Sequence, residues 1–474
     1  MPDILTPDIC VIGAGAAGLS VAAGAAAFGV QTVLVEKATM GGECLNTGCV
    51  PSKALLAAAK HAHLAQTADV FGIAISASVD FAKVRAHVQD TIKAIAPNDS
   101  AERFAGLGVR VIRAAAAFKD RRTLVAGDVE IRARRFVIAT GSRPAVPPIP
   151  GLDRGPYLTN ETIFDLEQRP EHLIIIGAGP IGMELAQAFR RLGSSVTVLE
   201  QTTPLAKDDP ECAAVVVDQL EREGVVIRSG VTVTGIAHSG GTVTATVDVG
   251  GAEEFMTGSH VLVAAGRQPV TDGLNLEAAG IRADNSGIIV NRKLKTSNRR
   301  VYAIGDCAGG QPRFTHAGNY HAGLVLKNAL FRLPVRVDPS AVPWVTFTDP
   351  ELAHCGLTEA EARSRKLKVR VLRWPYHDND RAQTERQTRG HIKILVRPKG
   401  QILGVTIVGA QAGELIASWT LAIAQGLNIR AFTSFVLPYP TLSEIGKRAA
   451  IDFYLPNLTR PWVRRIIAWL RIFG

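Results

Sequence analysis

The feature that most constrains this chain is a short pattern that occurs twice, 164 residues apart. The first copy is Gly13-x-Gly15-x-x-Gly18, preceded by the apolar DICVI and followed by Glu36 at the end of TVLVE. The second is Gly177-x-Gly179-x-x-Gly182, preceded by HLIII and followed by Glu200 at the end of VTVLE. In both copies the acid stands 18 residues past the third glycine. A strand, a glycine turn, a helix and a second strand ending in an acid form the arrangement that grips a dinucleotide. The glycines allow a tight turn and close backbone approach to a pyrophosphate. The helix N-terminus supplies amides and partial positive charge, and the acid accepts hydrogen bonds from ribose hydroxyls. One such pattern alone is weak. Two in full context predict two dinucleotides in one chain, and with them electron transfer between a flavin and a nicotinamide.

The first copy contains Ile9–Val35, 27 residues without a charge, which is long enough to cross a bilayer. Its glycines and alanines fall where a strand, turn and helix need them, and it ends in the strand-like QTVLVEK, so it reads as β-α-β. Asp3 and Asp8 precede the apolar run with no basic residue, which argues against a signal peptide. A length of 474 residues predicts about three domains. The 47% hydrophobic and 20% charged content excludes disorder, and six cysteines exclude a disulfide-dense scaffold. The net charge of +10 comes with no basic motif or aromatic platform for nucleic acid.

Residues 41–53 read GGECLNTGCVPSK, with four residues between Cys44 and Cys49. A metal site lacks a second cysteine or histidine pair nearby, since His61 and His63 belong to a separate helix. Two buried structural thiols fit polar, glycine-rich surroundings poorly. A redox dithiol/disulfide fits best. Pro51 suits the first turn of a helix, so Cys49 lies near a helix N-terminus that lowers its pKa, and Lys53 shares its helix face. At the second nucleotide site, the run Glu200-Gln201-Thr202-Thr203 holds an acid and no arginine. An acid there repels the 2′-phosphate of NADP, which predicts NAD(H) over NADP(H).

With GAGAAG, GGECLNTGCVPSK, VIATGSRP, GAGPIGME, AAGRQP, AIGDCA, TDPELAHCGLTEAEA and PYPTLSE, the chain resembles the class I pyridine nucleotide–disulfide oxidoreductases over essentially its whole length. Dihydrolipoamide dehydrogenase, glutathione reductase and mercuric reductase belong to that family. The resemblance implies an α/β fold with two Rossmann-like dinucleotide-binding domains, for FAD and NAD, plus an α+β C-terminal dimerisation domain. Its boundaries would be 1–149 and 271–341 for the two parts of the FAD domain, 150–270 for the NAD domain, 342–456 for the interface domain and 457–474 for a C-terminal tail. The linker-like PAVPPIPG, the strand VYAIGD and the antiparallel-looking VTFTDPE, HIKILV and ILGVTIV agree with this division.

The resemblance also assigns roles. Cys49 would be the thiol beside the flavin and Cys44 the interchange thiol exposed to substrate. Lys53 would lie by the flavin and pair with Glu184. FAD would be held by Gly13, Gly15, Gly18 and Glu36, by Thr140 and Gly141 through their backbone, by Asp306, and more weakly by Ala116. The helix beginning at Arg313–His316 would face the flavin, with His316 itself structural. Gly177, Gly179, Gly182 and Glu200 would hold the nicotinamide nucleotide, with Val233 and Gly266 touching it by backbone. Cys10, Cys212, Cys307 and Cys355 would be core or flank residues. The implied assembly is a homodimer acting on a small-molecule disulfide or a metal ion in the cytoplasm.

The pattern departs from the disulfide reductases at Tyr439-Pro440-Thr441-Leu442-Ser443-Glu444. There the family has a histidine base oriented by a glutamate. Tyr439 stands in the histidine position, and a phenol with a pKa near 10 is a poor base at neutral pH. Mercuric reductases also carry a tyrosine here, but they end in a vicinal cysteine pair, whereas the last residues of this chain, WVRRIIAWLRIFG, hold none. Dihydrolipoamide dehydrogenase and a quinone-type flavin reductase are the alternative activities, and a non-catalytic redox sensor is a further one.

The C-terminal residues carry a second signal. Trp462, Val463, Ile466, Trp469, Leu470 and Phe473 fall on one helical face, while Arg460, Arg464, Arg465 and Arg471 fall elsewhere. This pattern suits a helix lying in a membrane interface. A terminal helix docked on the dimer or on the core is the competing reading.

Overall fold

The computed structural model describes residues 3–458 and 460–473, with the side chains of 457 and 458 left aside. Residues 459 and 474 of the expected tail lie outside the described residues. The contacts divide the chain into two compact units. The first comprises 1–178, 188–201 and 231–339, and the second 179–187, 202–230 and 340–474.

The uncharged segment near the N-terminus is a β-α-β unit. Strand Ile9–Ile12 leads into helix α1 (Ala16–Ala27) and returns as strand Thr32–Glu36. Five parallel strands are ordered 301–303, 135–138, 9–12, 32–36 and 109–113. Their side chains alternate between two cores, as strand geometry requires. Ile9, Val11, Leu34 and Val137 pack with α1 and with helix Thr315–Leu330. Cys10, Ile12, Val33, Val35 and Phe136 face the opposite way, against Phe118, Leu124 and Ile131 of a second, four-stranded sheet. A parallel sheet covered on both faces explains why the sequence runs apolar without alternation. Among the described residues no helix is long and apolar enough to cross a membrane.

The first unit also contains the second parallel sheet. Strand His172–Ile176 pairs with Ser195–Glu200 on one side and with His260–Val263 on the other. A three-stranded antiparallel sheet, 232–239, 242–249 and 252–258, shares its core.

In the second unit, five antiparallel strands run in the order 344–346, 351–356, 402–409, 391–396 and 370–375. Helices Ala412–Ala424 and Glu444–Asp452 supply Trp419, Ile416, Ile445 and Ala449 to the core of this unit. Lys393 lies within the buried strand 391–396, its side chain only 4% exposed. Its ammonium donates to Asp209 at 2.7 Å and lies 3.1 Å from Glu211 and 2.9 Å from Glu359. Burial alone would lower its pKa, but hydrogen bonds to Asp209, Glu359 and Glu211 outweigh it and push the value up. Glu211 is held down to about 2, first by the two-pronged Arg373 and, against burial, by Lys393. The fold is thus the mixed α/β class expected, with a separate antiparallel C-terminal sheet.

Candidate active site

The first glycine turn is built for a dinucleotide. Gly13 has φ +103°, and a Cβ there would meet the Ala139 carbonyl oxygen at 2.4 Å. A Cβ on Gly18 would meet the Gly13 oxygen at 1.9 Å, so the helix can sit this close to the strand only with glycine. A Cβ on Gly15, by contrast, would make only an ordinary contact, with the Gly42 Cα at 3.9 Å, which leaves a cradle at the start of α1. Glu36 accepts from the Ala14 amide at 2.6 Å and from the Ala38 amide at 2.7 Å. The second turn repeats this bracing. Gly177 has φ +106°, and Glu200 accepts from the Ala178 amide at 2.8 Å. The residues present therefore fit a dinucleotide at the first turn. Gly182 lies within helix Pro180–Arg191. Val233 sits at a bulge in its strand, and Gly266 has φ +129° and accepts from the Ala145 amide.

The dithiol is tied to the first cradle. Gly41 donates its amide to the Ala14 oxygen at 2.9 Å and pairs with Gly15 as a bridge. Helix α2 (Gly42–Asn46) follows and carries Cys44. Helix α3 (Cys49–Gln66) opens with Cys49 itself. Cys49 Sγ lies 3.6 Å from the hydroxyl of Thr315, the first residue of helix Thr315–Leu330. Cys49 thus stands at the positive ends of two helices, where a thiolate is favoured. The Cys44 thiol is pushed up, first by its hydrogen bond with Cys49, then by burial and by the charges of Cys49 and Glu43, while Thr315 pulls it down. Cys49 is exposed and Cys44 half-buried.

A polar clamp secures the Cys44 helix. Arg267 grips Glu43 with both guanidinium ends, Nη1 donating to Oε1 at 2.5 Å and Nη2 to Oε2. Asn160 donates to the same carboxylate at 2.7 Å and to the Thr47 oxygen at 3.1 Å. Arg267 Nε also donates to Ser142 Oγ at 2.8 Å, and Ser142 donates to Asp306 at 2.6 Å. Arg313 in turn donates to the Arg267 carbonyl at 2.6 Å. Burial raises the Glu43 pKa even though Arg267 opposes it. Sequence reasoning missed Glu43, Arg267, Asn160 and Ser142 as site residues. The only signal was the presence of Glu43, Ser142 and Arg267 inside three of the quoted motifs.

The remaining candidates are placed as follows. Thr140 donates its hydroxyl to the Val270 oxygen at 2.6 Å, and Gly141 turns the chain with φ +71°. Ala116 is buried at the start of a strand of the four-stranded sheet. The His316 ring stacks on Phe314. His321, which the sequence did not single out, is buried beside Asp306 and accepts from the Gly305 amide. Burial lowers its pKa to about 4. Cys10, Cys212, Cys307 and Cys355 are all buried. Lys53 donates to Ser52 in the first unit. Glu184 belongs to the second unit, where it is buried and accepts from the Phe347 amide at 2.9 Å.

Tyr439 and Glu444 lie in the second unit. Tyr439 is 69% exposed and donates its hydroxyl to Asp380 at 2.9 Å. That hydrogen bond, followed by the charge of Asp380, raises the phenol further above its ordinary value. The partner of Tyr439 is therefore Asp380 rather than Glu444, which opens helix Glu444–Asp452. The motif gave no hint of Asp380, which lies 59 residues earlier.

Two braced nucleotide turns with a dithiol tied to the first agree with the comparisons. Residues 7–322 match the family described as pyridine nucleotide-disulphide oxidoreductase, and residues 342–450 match its dimerisation domain. The chain belongs to the pyridine nucleotide-disulphide oxidoreductases. Among this family it is 36% identical to a mercuric reductase of Lysinibacillus sphaericus over 450 residues, covering 94% of this chain and 82% of that protein. It is 38% identical to a dihydrolipoyl dehydrogenase of Thermus scotoductus over 452 residues, covering 93% and 95%. A solved relative is the Cu(II) complex of the HOCl-induced flavoprotein disulfide reductase RclA of Escherichia coli, with 27% identity, a TM-score of 0.83 and coverage of 94% and 99%. The chain is accordingly an oxidoreductase of a family that depends on FAD and a pyridine nucleotide.

Proposed function

We propose that this oxidoreductase takes electrons from NADH and delivers them through the Cys44–Cys49 pair to a thiophilic metal ion, with a disulfide as the lesser acceptor. The observation that carries the reading is Tyr439, whose proton is held by Asp380 where a disulfide reductase needs a base. Transfer to a disulfide requires a proton to be delivered to the departing substrate thiolate, whereas reduction of a metal ion held between the two sulfurs only releases one. Relatives named for mercury reduction, and one holding Cu(II), point to the same class of acceptor.

Gly13, Gly15, Gly18 and Glu36 would hold FAD together with Thr140, Gly141, Asp306 and, more weakly, Ala116. Gly177, Gly179, Gly182 and Glu200 would hold NADH, with Val233 and Gly266 beside it. Bound FAD supplies the two-electron link between the nicotinamide and the disulfide. In balance, the hydride of NADH converts the disulfide to one thiolate and one thiol. That pair would then reduce a divalent metal ion by two electrons, release its one proton and close the disulfide again. Cys49 would hold negative charge at its two helix starts, Cys44 would carry the remaining proton, and Lys53 with Glu184 would balance charge beside the flavin. The protein would act in the cytoplasm as a homodimer, with Tyr439 and Glu444 of one subunit reaching Cys44 of the other.

An acceptor panel driven by NADH tests this, comprising Hg(II), Cu(II), lipoamide, glutathione disulfide, a quinone and oxygen. The expected result is metal reduction above lipoamide reduction, with Tyr439→His raising the lipoamide rate. A wild-type lipoamide rate that Tyr439→His does not improve refutes the argument from Tyr439. That outcome would favour dihydrolipoamide dehydrogenase, in keeping with the Thermus scotoductus relative. Equal turnover with NADH and NADPH counts against the reading of Glu200.

A further inference from the structure

The catalytic reading leaves the C-terminal helix unused. The match to the family's dimerisation domain ends at residue 450, and helix Pro461–Leu470 lies beyond it, capped by Arg460 and continued by a turn over Arg471–Phe473. None of its residues is buried. Trp462 is 55% and Trp469 is 59% exposed, and Phe473, which meets Trp469 edge to face, is 72% exposed.

At 3.6 residues per turn, Trp462, Val463, Ile466, Trp469, Leu470 and Phe473 form one continuous apolar side. Arg464 and Arg471 border it on one edge and Arg465 on the other. Residues 460–474 hold four arginines and no acid. Ten helical residues span about 15 Å, half the ~30 Å hydrocarbon core, so the helix can lie in an interface but not cross it. Tryptophan rings settle at headgroup depth, and arginines on both edges reach outward to phosphates while their stems cover apolar surface. A second copy of the chain is a poor alternative occupant. Each copy carries a net charge of +10, and the arginines would need acids on the surface that received them.

We infer that residues 460–473 form an interfacial helix that binds the holoenzyme to a bilayer surface rich in anionic phospholipid. This assignment is independent of the electron acceptor. Each arginine near such a surface strengthens binding roughly fivefold, and the gain is lost as salt screens it.

The test is co-sedimentation of the FAD-loaded protein with vesicles. One set is phosphatidylcholine alone, the other includes phosphatidylglycerol, and both are run at low and high salt. Binding is expected only with phosphatidylglycerol and should weaken with salt. Arg464→Gln combined with Arg465→Gln should lower the affinity at least tenfold. Trp462→Ser combined with Trp469→Ser should do the same without changing net charge. Both variants should keep the NADH-driven dye reduction of the wild type in solution. Failure to bind phosphatidylglycerol vesicles overturns the inference, as does binding that survives removal of residues 460–474. A change of oligomeric state on that removal, without vesicle binding, assigns the helix to a second copy instead.

Discussion

Replacing Glu43 with glutamine removes a negative charge one residue from Cys44 while keeping a side chain of the same shape between Arg267 and Asn160. Adjacent helical side chains place the carboxylate about 7 Å from the sulfur, and at an effective dielectric of about 20 a charge at that distance acts with roughly 2 kcal/mol. Glu43 is 27% exposed, and solvent screening halves this to about 1 kcal/mol. The Cys44 thiolate fraction below its midpoint should therefore rise roughly fivefold. A thiol that ionises more readily is also a weaker nucleophile, so alkylation of Cys44 should quicken by only about two- to threefold. The assay is iodoacetamide labelling of the NADH-reduced enzyme across a pH series, with the Cys44 peptide quantified by mass spectrometry. Arg267→Met should act in the opposite sense, leaving Glu43 without its counter-charge and slowing Cys44. If Glu43→Gln and Arg267→Met change the rate in the same direction, the clamp acts through position alone and the electrostatic argument fails.

Gly18→Ala should abolish FAD binding, since its Cβ would lie 1.9 Å from a backbone oxygen; flavin absorbance of the purified protein reads this out. Lys393→Met leaves Asp209, Glu211 and Glu359 without their shared cation and should cost about 3–5 kcal/mol of stability, measured by urea unfolding. The depressed pKa of Glu211 has a defined pH window. Its folded value, about 2, lies below the unfolded one, so its contribution is present above pH ~4.3 and is lost as pH falls toward 2. Thermal melts of Glu211→Gln should accordingly fall below wild type at pH 7 and converge with it near pH 2.

The two nucleotide turns were readable because their requirements are local: a glycine where no Cβ fits, and an acid at the end of the next strand. The dithiol was readable because Cys44 and Cys49 occupy one short segment. The clamp was not, since Arg267 reaches Glu43 across 224 residues and Asn160 across 117, and no periodicity encodes such a meeting. Lys393 misleads for a related reason. A lysine in HIKILV suggests a solvent face, yet Asp209 and Glu211, which precede and open helix Pro210–Arg222, and Glu359 of helix Glu359–Ser364 close over it.

Glu36 and Glu200 each spend one oxygen on their own turn, at Ala14 and Ala178. The two turns thus share one inner brace, in which a carboxylate from the second strand ties down the amide between the first two glycines. Replacing either acid removes that brace, so its loss loosens the glycine turn before any cofactor arrives.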